Sequence, residues 1–298
     1  MSIVKSLSVG NGDMFYINHN SDNFSVIDCF IDDNNSERII NEINNKKNNK
    51  RITRFISTHP DDDHIKGLKK YNDEIGITNF YCVKNQATKK DETEDFNEYC
   101  SLRDGDKHYY LEKGCTRKWM NQEGEDDTGI KIGSSGIFIL WPIISNQFFK
   151  EALEKAKDGE SPNNISPIIK YSIENGVSIL WFGDLETEFM ENIKDDLSIE
   201  KADIVFAPHH GRDSGKIPKE ILEKINPKLI VIGEAPSEYL NYYSGYNTLT
   251  QNSAGDITFN CSGNDVHIYV SNKNYNVDFL INKNKSNEYD YYIGTLEL

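Results

Sequence analysis

Two imidazoles and three carboxylates crowd into the run Ser57-Thr58-His59-Pro60-Asp61-Asp62-Asp63-His64-Ile65-Lys66-Gly67. Side chains of these types are ligands for divalent cations, and carboxylates this close repel one another unless something offsets their charge. A helix N-terminus needs only one Asp to cap it. A solvated acidic turn therefore explains less of the run than a metal site does. Gly183-Asp184 and Pro208-His209-His210-Gly211 offer the same chemistry, each directly after an apolar strand-like stretch, Ser178 to Phe182 and Ile204 to Ala207. Taken alone, Gly-Asp after a strand is an ordinary turn, and a His pair is an ordinary surface or capping feature. With all three groups at the carboxyl ends of strands, where α/β sites assemble, they form one candidate metal centre.

The elements that must position these groups are legible as periodicities. Short β-rich runs open the chain at Val4 to Val9, Met14 to Asn18 and Phe24 to Cys29, separated by turn clusters. Ile39, Ile40 and Ile43 mark a helix over Ser36 to Asn45, and a strand is predicted over Ile52 to Ser57. A helix near Ile65 to Tyr71 and a strand near Thr78 to Val83 follow. Residues 84 to 128 lose clear periodicity and carry acidic clusters, which predicts an insertion or lid. Strands resume at Ile137 to Trp141, Ile168 to Ile173, Ser178 to Phe182, Ile204 to Ala207 and Leu229 to Ile232, with helices at 146–157, 186–195 and 217–224 among them. Ile257 to Cys261 and Val266 to Val270 close the pattern. Strand-rich halves interleaved with helices predict an α/β (α+β) chain, with two sheets packed face to face and helices outside, a four-layer αββα sandwich. A single domain over 1–298 is expected.

Composition narrows the function classes. The chain carries 33 Lys+Arg against 48 Asp+Glu, a formal charge of −15, which argues against nonspecific coating of nucleic acid. The longest apolar runs are strand-sized, far short of the ~18 residues of a membrane span, so no membrane partner is expected. The apolar start is broken at Gly10 to Asp13 before a signal peptide could form. Five widely spaced cysteines, none in a C-x-x-C pair, read as reduced thiols of a cytoplasmic protein.

The assembled motifs resemble the metallo-β-lactamase-fold hydrolases. Within them, His59-Pro60-Asp61-Asp62-Asp63-His64-Ile65-Lys66-Gly67 is similar to the H-P-D-x-D-H-x-x-G variant of the ComEC-type competence nuclease domains and their stand-alone relatives, in which Asp replaces the second His. Val9-Gly10-Asn11-Gly12-Asp13 resembles the opening V-G-x-G-D turn, and Asn163-Asn164-Ile165-Ser166 resembles N-N-x-S. Phe182-Gly183-Asp184 looks like T-G-D, Pro208-His209-His210-Gly211 looks like P-H-H-G, and Ala254-Gly255-Asp256-Ile257 resembles the start of the closing hairpin. The chain departs from the family at Arg212, where Ser is usual, and at 84–128, which has no assignable counterpart. It has no channel domain, so DNA uptake does not follow.

Carried over residue by residue, the resemblance implies that His59 and Asp61 hold one metal, Asp63 and His64 the other, and Asp184 bridges them. His210, directly before Gly211, takes the place of the final ligand. His209 is then a group behind the ligands or a proton donor to the leaving oxygen. Asn164 would polarise a phosphoryl oxygen or complete a metal shell, although an Asn beside a turn also serves backbone alone. Asp63, His209 and Asn164 are thus the candidate catalytic residues. Asp13 orients a ligand or simply turns the chain, and Arg212 contacts phosphate or faces solvent. An oxygen-rich donor set, with Asn rather than His at the third motif, favours two Mn²⁺ or Mg²⁺ ions over Zn²⁺.

The reaction implied is phosphodiester hydrolysis, on DNA or RNA, by a hydroxide bridging two metals. Lys66, Lys69, Lys70, Arg212, Lys216 and Lys219 could track a phosphate backbone or form ordinary charged faces. Tyr239, Tyr242, Tyr243 and Tyr246 could stack on bases or pack. Two other readings are consistent with the residues: hydrolysis of a small ester, lactone or phosphocholine-type diester on the same fold, and a partner-gated or non-catalytic metal-binding module. In the second, the acidic insertion and the tail Tyr289, Tyr291 and Tyr292 would dock a regulatory protein.

Overall fold

The computed structural model describes residues 1–298. The first half of the chain runs β1 (Ser2–Ser6), β2 (Phe15–Asn18), β3 (Asn23–Ile27), β4 (Cys29–Phe30), α1 (Ser36–Lys47), β5 (Ile52–Ile56), α2 (Asp62–Ile65) and α3 (Leu68–Glu74). It continues through β6 (Phe80–Cys82), α4 (Glu94–Asp104), β7 (His108–Tyr110), β8 (Gly124–Glu125) and β9 (Lys131–Ile132). The second half opens with β10 (Ile137–Trp141), α5 (Gln147–Lys157), β11 (Ile168–Ser172), β12 (Ser178–Trp181), α6 (Thr187–Ile193) and β13 (Ile204–Phe206). After α7 (Lys219–Ile225), β14 (Leu229–Ile232), β15 (Thr248–Thr250) and α8 (Gln251–Ala254), the chain returns through β16 (Ile257–Ser262), β17 (Asp265–Val270) and β18 (Tyr291–Glu297).

Two large sheets result. One has nine strands in the order β18-β17-β16-β1-β2-β3-β5-β6-β7, and the other has six, β10 through β15 in sequence order. Alternation along the strands sends one set of side chains between the sheets and the other set outward. From the first sheet Val4, Phe15, Ile17, Ile27 and Ile56 point inward to meet Ile169, Ile179, Trp181 and Val231 of the second. Phe15 lies edge-on to Phe206 at 4.8 Å, and Trp181 stacks on Phe206 at 5.0 Å, so aromatic rings fill the space between the layers. Outside the nine-stranded sheet, Ile39, Ile40 and Ile43 of α1, Leu68 and Tyr71 of α3, and Phe96, Tyr99 and Leu102 of α4 cover Tyr16, Phe24, Val26, Phe55 and Phe80. Outside the other sheet, Trp141 is flanked edge-on by Phe149 of α5 and Phe189 of α6. The architecture is a four-layer αββα sandwich.

Several elements differ from their expected form for local reasons. The strand expected over Val4 to Val9 ends at Ser6, and residues 7–13 leave the sheet as a loop toward the site. The single helix expected near Ile65 to Tyr71 is two, α2 and α3. The Lys66 carbonyl turns out to accept from the Ile31 amide at 2.8 Å, and Gly67 (φ +77°) passes so close that a Cβ would sit 2.6 Å from the Ile31 carbonyl oxygen. Segment 84–128 is built into the fold along part of its length: α4 packs through Phe96, Tyr99 and Leu102, and β7 pairs in parallel with β6. The Tyr-rich tail supplies β18, whose Tyr291 and Tyr292 pair with β17 at the sheet edge. All five cysteines are free, and no helix is long and apolar enough to cross a membrane.

Candidate metal centre

Loops leaving the carboxyl ends of β5, β12 and β13 meet at one edge of the sandwich, joined there by the loop between β1 and β2. The β5 loop enters the interior at once: Ser57, Thr58 and His59 are buried before α2 begins. Asp61 occupies the N-cap position of α2 but makes no capping bond with its side chain. The acidic run is therefore not a cap. Asp63 and His64 project from the first turn of α2 toward Asp184 and His210, and one donor atom from each of these four lies within 4.8 Å of the others. A second group, His59, Asp61 and Asp63, meets the same distance, so Asp63 is common to both. The structure thus brings together all six residues assigned as ligands in the sequence.

Backbone conformation sets these positions. Gly183 (φ +54°) packs so tightly that a Cβ would lie 2.7 Å from the Ser166 side chain, and Ser166 Oγ accepts the Asp184 amide at 3.2 Å. His209 and His210 both adopt left-handed φ values, +52° and +54°, and the His209 amide donates to the Gly183 carbonyl at 3.0 Å. This locks the β12 and β13 loops to each other. Gly12 lies against the Asp63 carbonyl, where a Cβ would approach to 2.7 Å, and the Asp13 amide donates to that same carbonyl at 3.1 Å.

Each imidazole has its own setting. His64 is held between two carboxylates, with Nδ1 2.9 Å from Asp28 Oδ2 and Nε2 3.0 Å from Asp184 Oδ1. Burial opposes its charge, but Asp184 and Asp28 outweigh burial and raise its pKa well above the usual imidazole range. His210 places Nδ1 3.1 Å from Asp13 Oδ1 and Nε2 3.1 Å from Asp63 Oδ2. Burial again opposes charge there, and the carboxylates of Asp13 and Asp184 push its pKa up to about 10. His59 is pulled down to about 3, by burial first and by neighbouring His64 next. Its Nδ1 lies 3.1 Å from Thr58 Oγ1. Asp63 and Asp184 are both held below the usual carboxylate range: burial opposes this, but the His210 hydrogen bond and His64 dominate at Asp63, and the charges of His64 and His210 dominate at Asp184.

The donor set fits a divalent cation. His59 Nε2, His64 Nε2 and Asp184 Oδ1 are buried without a well-directed hydrogen bond, because the 3.0 Å approach of the last two lacks the alignment one requires. Unsatisfied buried polar atoms cost roughly 1–3 kcal/mol each, and a cation among them would recover that energy. Three carboxylates and three imidazoles could hold it.

Other expected residues are placed differently. His209 borders the cluster, its Nε2 3.7 Å from Asp184 Oδ2 and its Nδ1 2.9 Å from Ser214 Oγ, and burial lowers its pKa. Asn164 is not aimed at the cluster: its amide donates to Glu186 Oε2 at 2.7 Å and its oxygen accepts the Glu186 amide at 3.0 Å, bracing the loop that carries Asp184. Arg212 donates to Asn11 Oδ1 at 2.7 Å, tying the His210 loop to the β1–β2 loop. Lys69, Lys70 and Lys219 pair with acids one turn along their own helices, as ordinary charged faces do. Tyr243 is buried and its hydroxyl accepts the Ile217 amide, while Tyr239 and Tyr242 are exposed. Asp28 was missed in the sequence. It accepts from the Thr58 amide and Thr58 Oγ1, both at 2.7 Å, as well as from His64. Its only signal was its place at a strand end.

No family model and no curated protein matches the chain. Among solved structures, the DIM-1 metallo-beta-lactamase aligns with a TM-score of 0.27 and 16% identity, over 58% of this chain and 59% of that one. A long form RNase Z from yeast aligns with a TM-score of 0.39 and 9% identity, over 84% of this chain and 40% of that one. In both cases the chain spans less than two thirds of the neighbour's length.

Proposed function

We propose that this chain is a metal-dependent hydrolase of the metallo-β-lactamase type, and that it cleaves phosphodiesters, with nucleic acid as the substrate class. The observation that carries the reading is the convergence of Asp63, His64, Asp184 and His210 on one point, with His59 and Asp61 grouped around the shared Asp63. Divalent cations held there would supply Lewis acidity and offset the charge of a phosphodiester. The oxygen-rich donor set suits Mn²⁺ or Mg²⁺, which also favour phosphate oxygens.

The protein's own groups do the rest. Asp28 accepts the hydrogen bond from His64 Nδ1–H, which fixes the tautomer that would leave Nε2, on the Asp184 side, free to ligate a metal. The Asp13 carboxylate, 3.1 Å from His210 Nδ1, favours a proton on that nitrogen and leaves Nε2 toward Asp63. His209, partly exposed beside Asp184 and with its pKa lowered by burial, is placed to accept a proton and pass it to a leaving oxygen. Arg212 stands at the mouth of the site on Asn11, within the reach of an incoming phosphate.

With raised pKa values, His64 and His210 hold an extra proton in the metal-free protein at pH 7.5, whereas His59, lowered to about 3, does not. Metal binding needs neutral imidazoles, so full loading should release roughly two protons. Apparent affinity should then rise with pH until the raised pKa values are passed. Calorimetry in buffers of different ionisation enthalpy counts the protons, and release of none would contradict this placement of charge.

The reading itself is tested by incubating metal-stripped protein with Mn²⁺, Mg²⁺ or Zn²⁺ and end-labelled single- and double-stranded DNA and RNA, beside a small diester. Metal-stimulated cleavage of a polynucleotide is the expected result. Turnover of the small diester alone would overturn the nucleic-acid assignment, and no turnover of either substrate would overturn the phosphodiesterase assignment.

A further inference from the structure

Among the side chains paired with Asp61, Asp62 and Asp63, only Lys89 is a Lys or Arg. Its ammonium lies 3.1 Å from Asp61 Oδ1 and 2.6 Å from Asp62 Oδ1, and its side chain is only 17% exposed. It is fixed from both ends. Thr88 next to it donates its amide to the Ala156 carbonyl at 3.0 Å and its hydroxyl to the Lys157 carbonyl at 2.8 Å, while the ring of buried Phe96 lies 5.7 Å from the ammonium. Lys89 forms no ion pair with Asp63 or Asp184.

The two groups of donors are therefore unequal. The Asp63, His64, Asp184 and His210 group has only its own imidazoles to balance its carboxylates, whereas one carboxylate of the His59, Asp61 and Asp63 group already carries an ammonium. A cation approaching Asp61 must displace that ammonium or share the carboxylate with it, against like-charge repulsion. Asp62 belongs to neither group, and its contact with Lys89 gives the ammonium a second anchor when Asp61 is taken.

We propose that Lys89 sets the order in which the centre fills: the Asp63, His64, Asp184 and His210 position loads first, and the His59, Asp61 and Asp63 position loads second, as Lys89 shifts from Asp61 onto Asp62. The inference rests on the metal-centre reading above and concerns the difference between its two positions. Lys89 is a positioning residue that acts through Asp61, and its effect is read in binding rather than turnover.

The test is calorimetric titration of the metal-stripped full chain with Mn²⁺, for wild type, Lys89→Met, Lys89→Arg and Asp62→Asn, with melting curves to show that each variant folds. Wild type should give two affinities at least about tenfold apart. In Lys89→Met the weaker one should tighten on the order of tenfold, while the tighter one moves less than about twofold, since the removed charge bears on Asp61. Lys89→Arg should resemble wild type. Asp62→Asn, which leaves Asp61 as the only anchor, should weaken the second affinity several-fold by the same electrostatic argument. An unchanged weaker affinity in Lys89→Met, or equal tightening of both, would overturn the proposal. Two equal affinities in wild type would overturn the loading order while leaving the metal centre standing. A chain that binds no Mn²⁺ in any variant would overturn the metal-centre reading, and this inference with it.

Discussion

Asp63→Ala is expected to abolish metal-stimulated cleavage, with a loss on the order of a hundred- to a thousandfold, the scale of removing one group that stabilises transition-state charge. The reason is geometric. Asp63 is the one residue common to both donor groups, and its Oδ2 lies 3.1 Å from His210 Nε2. Its removal weakens both positions together. Asp61→Ala, which touches only the second group, should cost less. His64→Ala should match Asp63→Ala, because it leaves Asp28 and Asp184 buried without their shared partner. Rates measured under one metal, alongside melting curves, separate lost chemistry from lost folding. Asp63→Ala retaining more than about a tenth of wild-type activity would contradict the shared role.

Asp28→Asn is expected to weaken metal binding about 10- to 100-fold at small cost in stability, the scale found for partners that orient a ligating His. Asp28 has φ +58°, a conformation that Asn also tolerates, so the backbone can stay in place. An Asn oxygen can still accept from Thr58. Its amide, however, donates where the carboxylate accepted, which moves the His64 proton from Nδ1 to Nε2, the nitrogen that faces Asp184. Asp28→Ala should be worse in another way, stranding the Thr58 amide and His64 Nδ1 in a dry interior at a cost of about 3–5 kcal/mol. Metal titration and chemical denaturation of the two variants distinguish them. Equal metal affinity in Asp28→Asn and wild type would show that the tautomer does not matter.

The contrast between Asp63 and Asp28 shows what a sequence displays and what it hides. His59 to His64 stood out because five chemically related side chains lie within six positions. Asp184 and the His209-His210 pair stood out because apolar strand runs precede them, and the family resemblance chose His210 from the pair. Asp28 sits between Ile27 and Cys29, and nothing local distinguishes it from an ordinary strand end; its importance comes from contacts with Thr58 and His64, 30 and 36 residues away. Lys89 was hidden similarly, in a segment without periodicity that folds because α4 can bury Phe96, Tyr99 and Leu102. Asn164 illustrates the converse. Its neighbourhood matched a motif, yet both ends of its amide are spent on Glu186. Strand pairing across long separations was legible least of all: β18 joins β17 after 20 intervening residues, which the tyrosines at 289, 291 and 292 did not announce.

Asp63, His64, Asp184 and His210 are expected to hold a metal ion between them. Crystals of the protein soaked in Mn²⁺ and measured at a wavelength where manganese scatters anomalously test it directly. A strong anomalous peak is expected within coordination distance of Asp63, His64, Asp184 and His210, and a second, weaker one beside His59 and Asp61. Manganese bound only elsewhere, or His64 Nε2 still 3.0 Å from Asp184 Oδ1 with no peak beside it at saturating Mn²⁺, would contradict this assignment.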